Sequence, residues 1–128
     1  MHEASIAESI LKIARKRLTE TRNAESVVSV RVLVGEFRNV EADSLSFAFD
    51  NLKGLYTGCS NCKLEMELVP LLAYCQSENH KYSPRFEDAY RCKICGSGIG
   101  KLIAGDELDI VGVTLQAMSM AQDKTVRA

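Results

Sequence analysis

Cys92-Lys93-Ile94-Cys95-Gly96 is a thiolate knuckle. Two sulfurs at this spacing reach one ion when the backbone turns sharply, and Gly96 or Gly98 permits that turn. Zn(II) binds thiolates at about 2.3 Å, and a structural site wants four donors in a tetrahedron. Cys75, 17 residues upstream of Cys92, makes a third donor that a ribbon loop can bring home. The fourth is open between two residues. A second complete CxxC would need Cys at position 78, where the chain has Glu78, and His80 follows. Imidazole is the better chemical match, because Cys3His sites are structural whereas carboxylate ligation belongs more to catalytic zinc. Glu78 has the better spacing. Cys62 is disfavoured: an extended segment over 63–69 carries the chain roughly 23 Å away from it.

A second constellation stands at the N-terminus, Met1-His2-Glu3. The Met1 amine, the His2 amide nitrogen and the His2 imidazole close two fused chelate rings on one ion. The Glu3 amide or carboxylate adds a further donor. A nitrogen-rich, near-planar set suits Ni(II) or Cu(II), not tetrahedral zinc. The bulk of His2 also discourages removal of Met1. Cys59-Ser60-Asn61-Cys62 repeats the knuckle spacing, but the chain's two histidines, His2 and His80, are remote from it in sequence. Buried free cysteines pack as small apolar residues. We read this pair as packing rather than a second metal site, a disulfide or a bridge between copies.

The elements that must position these groups follow from periodicity. Ile6, Ile10, Ile13, Ala14 and Leu18 share one face of a helix predicted over Ser5–Thr19. Ser5 and Glu8 have capping-box spacing, which leaves Met1, His2 and Glu3 just outside the helix. Ser26–Phe37 is Val-rich and predicts a strand. Asp43–Leu52 predicts a second helix, with Leu45, Phe49 and Leu52 inward and Asp43 or Ser44 as N-cap. Lys63–Val69 alternates cleanly and predicts a half-solvated strand closed by Pro70. Glu107–Leu115 predicts the last strand. Between them, Leu71–Asp106 holds three Cys and four of the eight Gly, with little periodic apolar character. Such a segment needs a staple. The expected fold is α+β: a small mixed three-stranded sheet with two helices, plus an inserted zinc-ribbon-like module. Residues 1–70 and 107–117 would form the first domain, 71–106 the module, and 118–128 a tail that frays.

The chain has 128 residues, 26% charged and 46% hydrophobic, with net charge −1. That is an ordinary globular composition and a poor one for general nucleic-acid binding, which needs a basic surface. No apolar run approaches the roughly 20 residues of a membrane span. The opening residues lack a basic n-region and an apolar h-region. The expected location is the cytoplasm.

Ordered along the chain, these features resemble the HypA/HybF nickel metallochaperones. Met1-His2-Glu3 leading into Ser5-Ile6-Ala7-Glu8-Ser9-Ile10 is similar to the family's N-terminus. Val30-Arg31-Val32-Leu33-Val34-Gly35-Glu36 resembles its first strand, and Asp43-Ser44-Leu45-Ser46-Phe47-Ala48-Phe49-Asp50 its second helix. Leu64-Glu65-Met66-Glu67-Leu68-Val69-Pro70 then leads into the zinc module. The resemblance reaches to about Leu115. It implies a non-enzymatic carrier that binds Ni(II) and delivers it during [NiFe]-hydrogenase maturation with a HypB-type GTPase. The hydrogenase large subunit, or urease maturation machinery, would be the client, and a homodimer is compatible with the chain. By the same resemblance, nickel ligands fall on His2 with the Met1 amine and the Glu3 neighbourhood. Structural zinc falls on Cys75, Cys92 and Cys95. The chain departs from the family at Cys75-Gln76-Ser77-Glu78, where a second CxxC is usual.

Two other classes compete. A zinc-ribbon nucleic-acid or protein-binding module would use Lys81, Arg85, Arg91, Lys93 and Lys101 among Tyr74, Tyr82, Phe86 and Tyr90. Glu78, Glu87, Asp88, Asp106 and Glu107 offset that charge. A thiol oxidoreductase would use Cys92 and Cys95, but redox CxxC pairs sit at helix starts in a thioredoxin-like context that Gly-rich flanks do not match. No P-loop, Rossmann fingerprint or hydrolase triad is present.

Overall fold

The computed structural model describes residues 2–77, 80–118 and 125–127. The chain begins with α1 (Glu3–Glu20) and β1 (Ala24–Gly35), followed by α2 (Ala42–Leu52) and β2 (Lys63–Val69). Three short strands come next: β3 (Leu72–Cys75), β4 (Lys81–Tyr82) and β5 (Ile99–Ala104). β6 (Leu108–Ala117) and β7 (Thr125–Arg127) close the chain. The architecture is α+β with two sheets, ordered β2-β1-β6-β7 and β4-β3-β5.

α1 starts earlier than the sequence suggests. His2, not Ser5, occupies the N-cap position, and its carbonyl accepts the Ser5 and Ile6 amides at 3.1 and 3.2 Å. The physical reason lies in Glu3. As the first helical residue it places a carboxylate where the helix dipole favours one, and that carboxylate accepts the Glu41 amide at 3.1 Å. Glu3 therefore sits inside the helix, and its side chain ties α1 to the start of α2. The buried stripe is also turned by about one residue from the expected face. Ala7, Ile10, Leu11, Ala14 and Leu18 are buried, while Ile13 is 44% exposed. A repeat of 3.6 residues admits two adjacent stripes, and the one carrying the small Ala7 and Ala14 is buried where α1 packs on α2. Glu41, rather than Asp43 or Ser44, is the N-cap of α2.

Contacts divide the chain into two units. The first holds the chain up to Val32, Val40–Glu67 and everything from Asp109 onward. Its core joins the α1 and α2 stripes to Val27, Val30, Val32, Val113 and Leu115. Each fully buried Leu or Phe there contributes about 1.5–3 kcal/mol. The surface pair Arg31–Glu67, at 2.6 Å and more than half exposed, adds at most about 1 kcal/mol. β6 runs through Ala117, and the tail beyond it is not wholly frayed: Thr125–Arg127 pairs antiparallel with Thr114–Gln116. Residues 119–124 and 128 lie outside the described set.

The second unit comprises Leu33–Asn39 and Leu68–Leu108. β3 is its middle strand, antiparallel to both β4 and β5. The chain leaving β1 runs antiparallel to the chain entering β6, with Gly35 donating to Glu107 and Phe37 to Gly105. That approach leaves no room for a Cβ at Gly35, which would meet the Gly105 carbonyl. Gly105 itself has φ +103, a conformation that L side chains rarely adopt.

Candidate metal centre

The β3-β5 pairing puts the end of one strand beside the start of the other, with Cys75 opposite Ile99. Past each partner the backbone makes a tight turn. The Cys75 amide donates to the His80 carbonyl at 3.0 Å, and the Gln76 amide to the Gly98 carbonyl at 3.1 Å. On the other side the Cys92 amide donates to the Ser97 carbonyl at 2.8 Å. The Gly96 amide closes the knuckle on the Cys92 carbonyl, also at 2.8 Å. Gly96 has φ +75, the turn conformation the CxxC spacing called for.

These turns gather Cys75, His80, Cys92 and Cys95, whose ligand atoms all lie within 4.8 Å of one another. His80 Nδ1 stands 3.6 Å from Cys75 Sγ and 3.8 Å from Cys92 Sγ. Cys95 Sγ stands 3.6 Å from Cys75 Sγ. A tetrahedral zinc with bonds of about 2.3 Å to sulfur and 2.0 Å to nitrogen spaces S···S at about 3.8 Å and S···N at about 3.5 Å. The donor set fits a zinc ion in type, number and spacing. Of the two candidate fourth donors, His80 is in the cluster, while Glu78 lies outside the described residues.

Two serines sharpen the site, and sequence reasoning did not single them out. The Ser77 hydroxyl donates to Cys95 Sγ at 3.3 Å and lies 2.7 Å from the Ser97 hydroxyl. Their signal was present: a Ser two residues after Cys75 and another two after Cys95. Hydrogen bonds from Ser77 and Ser97, with the His80 imidazole beside them, pull the Cys95 thiol down to about 5. The Cys95 and Cys75 sulfurs in turn raise the His80 imidazole. Cys75 and Cys92 are buried and Cys95 is exposed.

Cys59 and Cys62 belong to the first unit and are fully buried. Their turn closes on itself, with the Cys62 amide donating to the Cys59 carbonyl at 3.0 Å. Burial raises both thiols, and Cys62, also repelled by Cys59, is pushed to about 12. Neither forms a disulfide. Both behave as packing residues.

His2 is exposed at the start of α1, in extended conformation with φ −85 and ψ 95. Met1 lies outside the described residues. The basic and aromatic side chains of the module are partly committed to local bonds. Arg91 donates to the Gly96 carbonyl at 2.9 Å, Lys93 pairs with Asp88 at 3.7 Å, and Tyr82 donates to the Tyr90 carbonyl at 2.6 Å. That commitment weakens the nucleic-acid reading. Cys92 and Cys95 flank a turn instead of starting a helix, which removes the structural support for a redox pair.

An α+β frame carrying a Cys3His donor cluster defines a metal-handling protein. Comparison with known proteins gives the class its family. Residues 1–115 match the family of hydrogenase/urease nickel-incorporation metallochaperones, HypA, and the chain belongs to it. The hydrogenase maturation factor HypA of Chloroflexus aggregans is 33% identical over 113 residues, covering 88% of this chain and 97% of that one. The guanidine hydrolase-activating protein A of a Synechocystis species is 30% identical over 110 residues, covering 86% and 91%. The fold is that of the solution structure of the Ni metallochaperone HypA from Helicobacter pylori. That match has a TM-score of 0.61 and 21% identity, covering 88% of this chain and 96% of that one. No helix among the described residues is long and apolar enough to cross a membrane.

Proposed function

We propose that this chain binds Ni(II) at Met1, His2 and Glu3 and delivers it during [NiFe]-hydrogenase maturation, while Cys75, His80, Cys92 and Cys95 hold a structural Zn(II). The observation that carries the reading is an exposed His2 at the N-cap of α1, in a chain of the nickel-incorporation family. The first amides of a helix have no intrahelical acceptor, so the Glu3 amide is open to a metal in a way that mid-helix amides are not. The Glu3 carboxylate accepts the Glu41 amide, which favours the Glu3 amide as the donor. A helix N-terminus repels cations, so deprotonated amide nitrogens must offset that charge. The cargo then sits on a surface where incoming ligands can replace His2 and the backbone donors one at a time. A HypB-type GTPase is the proposed partner and the hydrogenase large subunit the client, with urease-type machinery as a second client. The relative that activates a guanidine hydrolase supports a hydrolase client. A cytoplasmic location suits that work.

The test is nickel calorimetry on zinc-loaded protein with its native Met1, beside the same chain extended by one residue. An acylated nitrogen is a poorer donor, so the extended chain should bind nickel at least about tenfold more weakly. Equal affinity removes the Met1 amine from the site.

Zinc predicts a stepwise thiol count. With zinc bound, none of the five cysteines should react with a thiol reagent in the folded protein. A chelator should release Cys75, Cys92 and Cys95. Cys59 and Cys62 should appear only in denaturant. Five reactive thiols before denaturation would place Cys59 and Cys62 in a chelatable site.

A further inference from the structure

The outer face of α1 carries an unusual run of charge. Lys12, Arg15, Lys16 and Thr19 follow the i, i+3, i+4, i+7 spacing of one helical stripe, opposite the buried Ala7, Ile10, Leu11, Ala14 and Leu18. With Tyr56, which follows α2, they line an open groove of about 340 Å³. All four helix residues are exposed. None of the three cations closes an ion pair among the described residues. Glu8 and Glu20 stand four residues from Lys12 and Lys16, at pairing distance along the helix, yet neither reaches its partner. The Thr19 hydroxyl is turned back to the Lys16 carbonyl at 3.0 Å.

This arrangement costs helix stability. Like charges four residues apart destabilise a helix, and Lys12 makes such a pair with Lys16. The helix dipole does not offset it, because its field is felt within the last turn, and Lys12 lies two turns from the end. Nor does overall charge explain it, since the chain is net −1. A cationic groove without an internal partner is complementary to an anion from outside.

We infer that the groove lined by Lys12, Arg15, Lys16 and Tyr56 docks an acidic protein segment, a short run of Asp and Glu side chains on a partner. The chemistry separates this occupant from phosphate. The lining is mid-helix, where backbone amides are spent on the helix itself, so there is no amide nest and no helix N-terminus to cradle a phosphoryl group. It also separates it from nucleic acid. A single aromatic, Tyr56, lines the groove, whereas single-stranded nucleic acid needs successive stacking platforms. Flexible carboxylates meeting separate point charges and a phenol hydroxyl need neither. The inference does not rest on nickel binding at the N-terminus.

The test is amide NMR on the zinc-loaded full chain, titrated in parallel with a hexaglutamate peptide, inorganic pyrophosphate and an oligothymidylate. Hexaglutamate should shift Lys12, Arg15, Lys16, Thr19 and Tyr56. Its apparent affinity should fall about tenfold as ionic strength rises from about 0.05 to 0.5 M. The triple variant Lys12→Gln, Arg15→Gln, Lys16→Gln should abolish those shifts and leave nickel affinity unchanged. Shifts spread evenly over other cations such as Lys63 and Lys101, or persisting in the triple variant, overturn the inference. So does tighter binding of pyrophosphate or oligothymidylate at the same residues.

Discussion

Removing zinc should unfold the second unit and leave the first intact. Among the described residues of the second unit, those buried besides Cys75 and Cys92 are Val34, Leu71, Ala73, Pro84 and two glycines, Gly35 and Gly105. Four small or medium side chains bury too little apolar surface to order Leu68–Leu108. Binding of structural zinc supplies about 10–16 kcal/mol in small zinc modules, and that energy is folding energy. The first unit has its own core, with Phe49, Leu11, Leu45 and Leu115 fully buried. A chelator should therefore collapse amide dispersion for residues such as Ala73, Tyr82 and Leu102 while Leu11 and Phe49 keep native shifts. His80→Ala should weaken zinc at least about 100-fold in competition with a chromophoric chelator, about 2.7 kcal/mol or more. Glu78→Gln should stay within about twofold. Equal losses in the two variants would move the fourth position away from His80. A second unit that keeps its dispersion without metal would sink the staple itself.

The staple was legible because cysteine spacing is local chemistry. Cys75, Cys92 and Cys95 announce a shared ion, and the poverty of Leu71–Asp106 announces the need for one. Chemistry favoured His80 over Glu78 and spacing the reverse. The turn after Cys75 was not legible, because the Cys75–His80 and Gln76–Gly98 hydrogen bonds join residues the one-dimensional pattern does not relate. β2 was readable from alternation, because a sheet face is set by parity, and β1 from its run of valines. α1 was readable as a helix but not in its phase. Ile6 and Ile13 outrank Ala7 and Leu11 on hydrophobicity, yet the close partner on α2 selects the face with the alanines. The start of α1 was misjudged for a related reason. Ser5 and Glu8 satisfy the capping-box pattern, but the acceptor role of Glu3 toward Glu41 is tertiary, and it extends the helix to His2. The short strands β3, β4 and β5 carry too few residues for periodicity to register.

His2→Ala should abolish one-site nickel binding or weaken it at least about 100-fold, and Glu3→Gln should not. The difference follows from what each side chain does in the fold. The His2 imidazole is exposed and closes the larger of the two proposed chelate rings. Its loss removes one donor and one ring without disturbing α1, whose N-cap carbonyl still accepts the Ser5 and Ile6 amides. The Glu3 carboxylate is already engaged by the Glu41 amide, and hydrogen bonding to that amide holds it below the usual carboxylate range. A glutamine at this position keeps an oxygen for the same bond, so the docking of α1 to α2 survives and the Glu3 amide stays in place. The pair of variants thus separates a backbone site from a carboxylate site. Acid sensitivity gives a second readout: nickel must displace protons from the Met1 amine, the His2 imidazole and the backbone amides, so affinity should fall steeply as pH drops. Glu3→Gln losing as much as His2→Ala would transfer the site to the carboxylate. Unchanged binding in both would move nickel to the sulfurs of Cys75, Cys92 and Cys95, and then nickel and zinc should compete for one position in the same titration.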